Sequence, residues 1–163
     1  MTGPVELAAF AAGGEEYLVD LRRVREIVPA VPVTTVPRAP PFVEGVAHLR
    51  GAVVPVVDVR RRLGVEAAPA RRFLVVEVAR QTLALAVDEV LGVVRVERSD
   101  LRATTGLSGG GPPLFLGVCG AAGTRRGPGK LRLLLNVKAL LDPAAGGASA
   151  EERRQVRQDG ESA

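Results

Sequence analysis

The sequence predicts a mainly all-β fold with short helices, arranged as two similar small barrels. Three observations point there. Apolar residues make up 47% of the 163-residue chain, but they are mostly Val, Leu and Ala, with 3% aromatics. Valine suits the pleated, half-buried surface of a strand. The 19 glycines and 12 prolines cut the chain into short segments joined by turns. Finally, LAAFAAGGEEYLVDLRRV (7–24) and FLVVEVARQTLALAVDEV (73–90) repeat one order of features. Each runs strand, polar turn, strand, Asp, Val, the pattern of a duplicated unit.

The elements follow in order. Glu6 to Ala12 and Glu16 to Val19 read as strands around Gly13-Gly14, a glycine pair suited to a tight hairpin. Asp20 to Val24 is a helical turn capped by Asp20. Val28 to Val36 is rich in Val, with prolines at 29, 32 and 37, which makes it an edge or bulged strand. Pro40 to Gly45 reads as a helical turn closed by its glycine. Val46 to Leu49 and Ala52 to Val57 form a second hairpin that turns at Arg50-Gly51. Asp58 caps a short helix to Leu63, with three arginines outward, Leu63 inward and Gly64 as the stop.

The pattern then restarts. Phe73 to Ala79 and Thr82 to Val87 are strands about an Arg80-Gln81 turn, and Leu91 to Val96 follows Asp88. Ser108 to Pro113 is a flexible loop. Leu114 to Val118 and Leu131 to Leu135 are late strands around a Gly/Arg loop, 120–130. Asn136 caps a short amphipathic helix to Leu141, stopped by Pro143. Residues 1–142 form the folded domain, and 143–163 are expected to be a polar, disordered tail.

Composition excludes several classes. The longest apolar run, Leu114 to Ala122, falls far short of the roughly 20 residues of a membrane helix. The start, MTGPVELAAF, lacks the basic and apolar regions of a signal peptide. Cys119 is the only cysteine, so no disulfide framework is available. A cytoplasmic chain without direct membrane insertion is expected.

The sequence offers no catalytic or metal site. Asp58 and Asp88 each end an apolar strand at the start of a turn. Capping accounts for both better than the shared reacting group that acid–base pairs need. His48 is the only histidine and has no serine or cysteine close in sequence for a nucleophilic site. One His and one Cys leave a metal site short of ligands. GTRRGPGKLR (123–132) misses the phosphate-loop pattern at Thr124 and Leu131. No cofactor is expected. The net charge of +4 leaves one other class open, a basic small barrel that binds nucleic acid. Its arginines are dispersed among acids, and Phe10, Phe73 and Phe115 fall in core strands instead of forming a stacking platform.

Five stretches carry a resemblance. They are EEYLVDLRRVREI (15–27), APPFVEGVAHLRGAVVPVVDVRRRLG (39–64), LALAVDEVLGVV (83–94), FLGVCG (115–120) and LRLLLNVKALL (131–141). In this order they resemble the CheW family, the coupling proteins of bacterial chemosensory arrays. The Glu-Gly-Val, Leu-Arg-Gly and Val-Pro-Val-Val-Asp segments are the most specific. His48 stands where the family usually has Asn, Val59 where Leu is usual, and Leu18 where a small residue is common.

The resemblance implies two SH3-like five-stranded β-barrels packed side by side, and no enzymatic activity. It implies a role as adaptor between chemoreceptor cytoplasmic tips and the regulatory domain of a CheA-type histidine kinase. It implies a receptor groove at Val24, Glu26, Ile27, Arg50 and Gly51, with the kinase-binding surface on the other barrel, around Val75 to Val93. A non-flagellar pathway, such as pilus motility, is the alternative within the family. The residues agree with the pairing of Arg50 and Glu26, because an arginine between apolar strands favours a bidentate carboxylate partner.

Overall fold

A computed structural model of the chain describes residues 3–65, 69, 72–103, 112–120 and 131–142. Residues 108–111 of the expected loop Ser108 to Pro113, most of the loop 120–130 and the tail 143–163 lie outside the described residues. The strands are β1 (Pro4–Ala12), β2 (Glu15–Asp20), β3 (Val24–Pro29), β4 (Val43–Leu49), β5 (Ala52–Asp58), β6 (Arg72–Val78), β7 (Gln81–Val87), β8 (Glu89–Glu97), β9 (Leu101–Ala103), β10 (Phe115–Cys119) and β11 (Arg132–Leu135). A single helical turn, α1 (Val59–Arg62), follows β5.

The strands form two sheets, ordered β8-β1-β2-β11-β10-β9 and β3-β6-β7-β5-β4. The second has the five strands expected; the first gains a sixth in the three-residue β9. The two repeated stretches fall in different sheets, as hairpins β1–β2 and β6–β7. Their turns match in position: Gly13-Gly14 in one and Ala79-Arg80 in the other all have positive φ, the geometry of a two-residue hairpin turn. The second turn lies one residue before the expected Arg80-Gln81. The halves do not follow one another along the chain. The first sheet takes both ends of the described chain, and the second takes the middle.

Burial on both faces explains the unbroken apolar runs. In β1, Ala8, Phe10 and Ala12 join a core shared by the two sheets, while Leu7 and Ala9 point into a separate cluster with Leu18 and Val96. In the second sheet, Leu74, Leu83 and Leu85 face the shared core, and Phe73, Ala84 and Ala86 face the opposite cluster. The period of two along a strand sends alternate side chains to the two clusters. Phe10, Tyr17 and Phe115 stack through the shared core at centroid spacings of 5.8 and 6.0 Å. Each fully buried side chain of this size contributes about 1.5–3 kcal/mol.

Several local expectations change. The strand expected over Val28 to Val36 starts earlier, at Val24, and ends at Pro29. It is an edge strand with a bulge at Arg25, where the register against β6 shifts. Pro29 lacks the N–H to continue the ladder; beyond it only Thr34 bridges to Val46. Gly45 closes no helical turn. It lies within β4 at φ +153, where a β-carbon would meet the Thr34 carbonyl oxygen at 2.0 Å. Of the three arginines expected outward on α1, only Arg61 is exposed. Arg60 is buried and Arg62 half-buried over the Phe42 ring, 4.9 Å from its centroid. Asn136 precedes the 3-10 turn Val137–Ala139 but does not cap it with its side chain. Its Nδ2 donates to the Pro113 carbonyl at 2.9 Å instead.

Candidate functional site

Both hairpin turns of the second sheet open at the same end. β5 and β7 run parallel, so the turns that lead into them, Arg50-Gly51 and Ala79-Arg80, emerge together. β3 begins beside the end of β6, where Val24 faces Val76. Arg25 and Glu26 therefore reach the same end. The result is a groove of about 790 Å³ whose lining includes Glu26, Arg50, Val53, Pro55, Val75 and Arg80.

The Arg50–Glu26 pair crosses this groove. Arg50 Nε donates to Glu26 Oε1 at 2.9 Å and Oε2 at 2.7 Å, and Nη2 lies 2.7 Å from Oε2. Arg50 sits at φ +51 in the turn between β4 and β5. The Arg50 side chain is 79% exposed and that of Glu26 24%. The hydrogen bond to Glu26, and then its charge, raise the Arg50 pKa. Exposed pairs contribute little to stability. What such a fork does well is hold charge in a fixed direction.

The expected groove residues divide. Glu26 and Arg50 meet, and Gly51 completes the Arg50 turn at φ +77. Val24 packs against the shared core instead. Ile27 stands 49% exposed on β3. The segment Val75 to Val93, expected on the other barrel, also divides. β6 and β7 stand in the same sheet as Glu26 and Arg50, and Val75 lines their groove. Only the β8 portion lies in the other sheet. Val53, 58% exposed, and Arg80 were missed. Alternation in AVVPVVD, which puts Val53 opposite Val54, was the signal available for the first.

The aspartates have another role. Asp58 caps α1 by accepting from Arg60 N at 3.0 Å. Asp88 accepts from Gly13 N at 2.7 Å and caps nothing of its own. Both carboxylates bind Arg60, at 2.8 and 2.9 Å. A cation held between them leaves no shared site for a reacting group. His48 is exposed on β4, and Cys119 is buried in the other sheet. Burial pushes the Cys119 thiol up, against the pull of Arg132, so it is a poor nucleophile. Among the described residues, no His, Cys, Asp and Glu cluster could hold a metal ion, and no helix is long and apolar enough to cross a membrane. Phe10, Tyr17, Phe42, Phe73 and Phe115 are all buried, so no aromatic face is free to stack on bases.

A family model described as CheW-like domain matches residues 6–145. The chemotaxis protein CheW of Rhizobium meliloti (strain 1021) is 41% identical over 105 residues, covering 63% of this chain and 68% of that protein. Protein PilI of Pseudomonas aeruginosa is 36% identical over 87 residues, covering 52% of this chain and 49% of that protein. The fold matches the crystal structure of the scaffolding protein TtCheW from Thermoanaerobacter tengcongensis. The TM-score is 0.74 at 24% identity, over 85% of this chain and 93% of that one. With the family model spanning both sheets, the chain belongs to the CheW-like family, a family of chemotaxis scaffolding adaptors and not of enzymes.

Proposed function

We propose that this chain couples chemoreceptor cytoplasmic tips to the regulatory domain of a CheA-type histidine kinase. The observation that carries the reading is the Arg50–Glu26 fork, fixed in direction yet exposed, over a groove with Val53 and Val75 in its lining. That combination suits an amphipathic helix, which buries an apolar ridge and is oriented by charges at the rim. Receptor tips dock here. The kinase domain docks on the first sheet, where Val93 is 57% exposed on the edge strand β8. The two partners thus meet different sheets that share one core. The adaptor works in the cytoplasm, recruited to receptor arrays, and needs no cofactor.

A second reading keeps the mechanism and changes the pathway. The likeness to PilI is compatible with a non-flagellar system such as pilus motility. Nucleic-acid binding has no comparable support.

Titration calorimetry against the kinase regulatory domain tests the proposal. Binding near 1:1, with affinity on the order of micromolar, is expected. No binding there, with salt-dependent binding to an oligonucleotide, would replace this reading by the nucleic-acid one.

A further inference from the structure

The groove carries a charge that the fold leaves uncompensated. Arg25, Arg50 and Arg80 stand in its lining. Arg50 is taken up by Glu26, and Arg25 Nη1 lies 3.1 Å from Glu77 Oε2. Arg80 is exposed and makes no ion pair with any described residue. Its position is also conformationally costly. Ala79 and Arg80 hold φ +50 and +66, a turn that glycine or asparagine occupies with less strain. Nothing in the packing of β6 and β7 calls for a long cation at this corner. An arginine kept in a strained, exposed turn beside an apolar floor points to a partner outside the chain.

We propose that Arg80 selects among receptor tips by pairing with a carboxylate on the helix that fills the groove. The inference rests on the groove being the receptor site. The favoured occupant carries an acidic residue beside its apolar ridge, placed to reach the Ala79-Arg80 corner while the ridge lies over Val53 and Val75. A tip with a lysine or arginine at that place meets like charge and is rejected. Arg50, paired with Glu26, orients the helix; Arg80 reads its charge.

The test is calorimetry of the full chain with a receptor-tip fragment at two salt concentrations, paired with thermal unfolding. Arg80→Gly relieves the strained turn, so its melting midpoint rises, while its binding weakens about two- to fivefold. Arg80→Glu binds about tenfold more weakly, and Arg80→Lys binds close to the unaltered chain. The affinity of the unaltered chain falls more steeply with salt than that of Arg80→Gly. Equal binding by the unaltered chain and Arg80→Glu would overturn the inference and leave the receptor groove standing. No binding by the unaltered chain would overturn the receptor reading as well.

Discussion

Arg60 reaches Asp88, 28 residues further along the chain, with Nη1 2.9 Å from Oδ1. Its Nε lies 2.8 Å from Asp58 Oδ1 at the same time. Asp88 also accepts from Gly13 N in the β1–β2 turn. One buried guanidinium thus ties α1 to the β7–β8 junction, and through Asp88 to the first hairpin. The two sheets are held together by this bridge as well as by their shared core.

Arg60→Met removes the buried cation and leaves Asp58, 2% exposed, with only the half-exposed Arg61 at 3.4 Å to pair with. A broken buried pair costs about 3–5 kcal/mol. Urea denaturation should show a loss in that range for Arg60→Met. Asp88→Asn should cost about 1 kcal/mol, because Asp88 is 30% exposed and water screens it. Equal losses from the two variants would contradict a bridge anchored at Asp58.

The Asp20 cap makes stability depend on pH at the acid end. Its hydrogen bond from Arg22, opposed by burial, holds the carboxyl below its ordinary value of 3.8. A depressed folded pKa adds stability above the unfolded value, which is lost as pH falls through the folded one. Asp20→Asn should therefore flatten the acid limb below about pH 3.8 and lower stability at neutral pH, since Asn keeps the cap on Arg22 N but loses the charge that Arg22 holds. An unchanged acid limb would remove Asp20 from the account.

Gly45→Ala should be among the most damaging small changes. The new β-carbon would sit 2.0 Å from the Thr34 carbonyl oxygen at a backbone angle that disfavours any side chain. The β4 strand or the Thr34–Val46 bridge must move. A loss of about 2–4 kcal/mol is expected by chemical denaturation. A loss below 0.5 kcal/mol would mean that the segment after β3 yields freely.

Arg62 fastens the C-terminal end of the described chain. Its Nε donates to the Leu140 carbonyl at 3.1 Å and Nη2 to the Asp142 carbonyl at 2.8 Å, with the guanidinium over Phe42. Burial lowers its pKa, against the pull of Asp142. Arg62→Ala should cost about 2 kcal/mol. It should also speed amide exchange at Leu140 and Asp142, whose N–H groups bond within the same turn. Unchanged exchange there would place the loss elsewhere.

Much of this was legible in the sequence because it is local. Gly13-Gly14 and Arg50-Gly51 mark their turns, Asp20 and Asp58 their caps, and the apolar runs their strands. Arg50 and Glu26 came from the family resemblance together with the preference of arginine for a carboxylate. What was not legible depends on distance along the chain. The burial of Arg60 follows from Asp88, and α1 is too short for any periodicity to reveal its inner face. The strand expected at Val28 moved to Val24 because its pairing with β6 outweighed its own valine content. The turn expected at Arg80-Gln81 falls one residue earlier, because neither Ala79 nor Arg80 is a usual left-handed residue that would mark the corner.

The central claim is that the Arg50–Glu26 fork recognises a partner and does not hold the fold. Binding of a receptor-tip fragment to the unaltered chain and to Arg50→Ala, with the unfolding midpoint of each, tests it most directly. The account predicts an unfolding midpoint close to that of the unaltered chain and affinity reduced about tenfold or more. Unfolding of Arg50→Ala, or unchanged affinity in a folded variant, would contradict it.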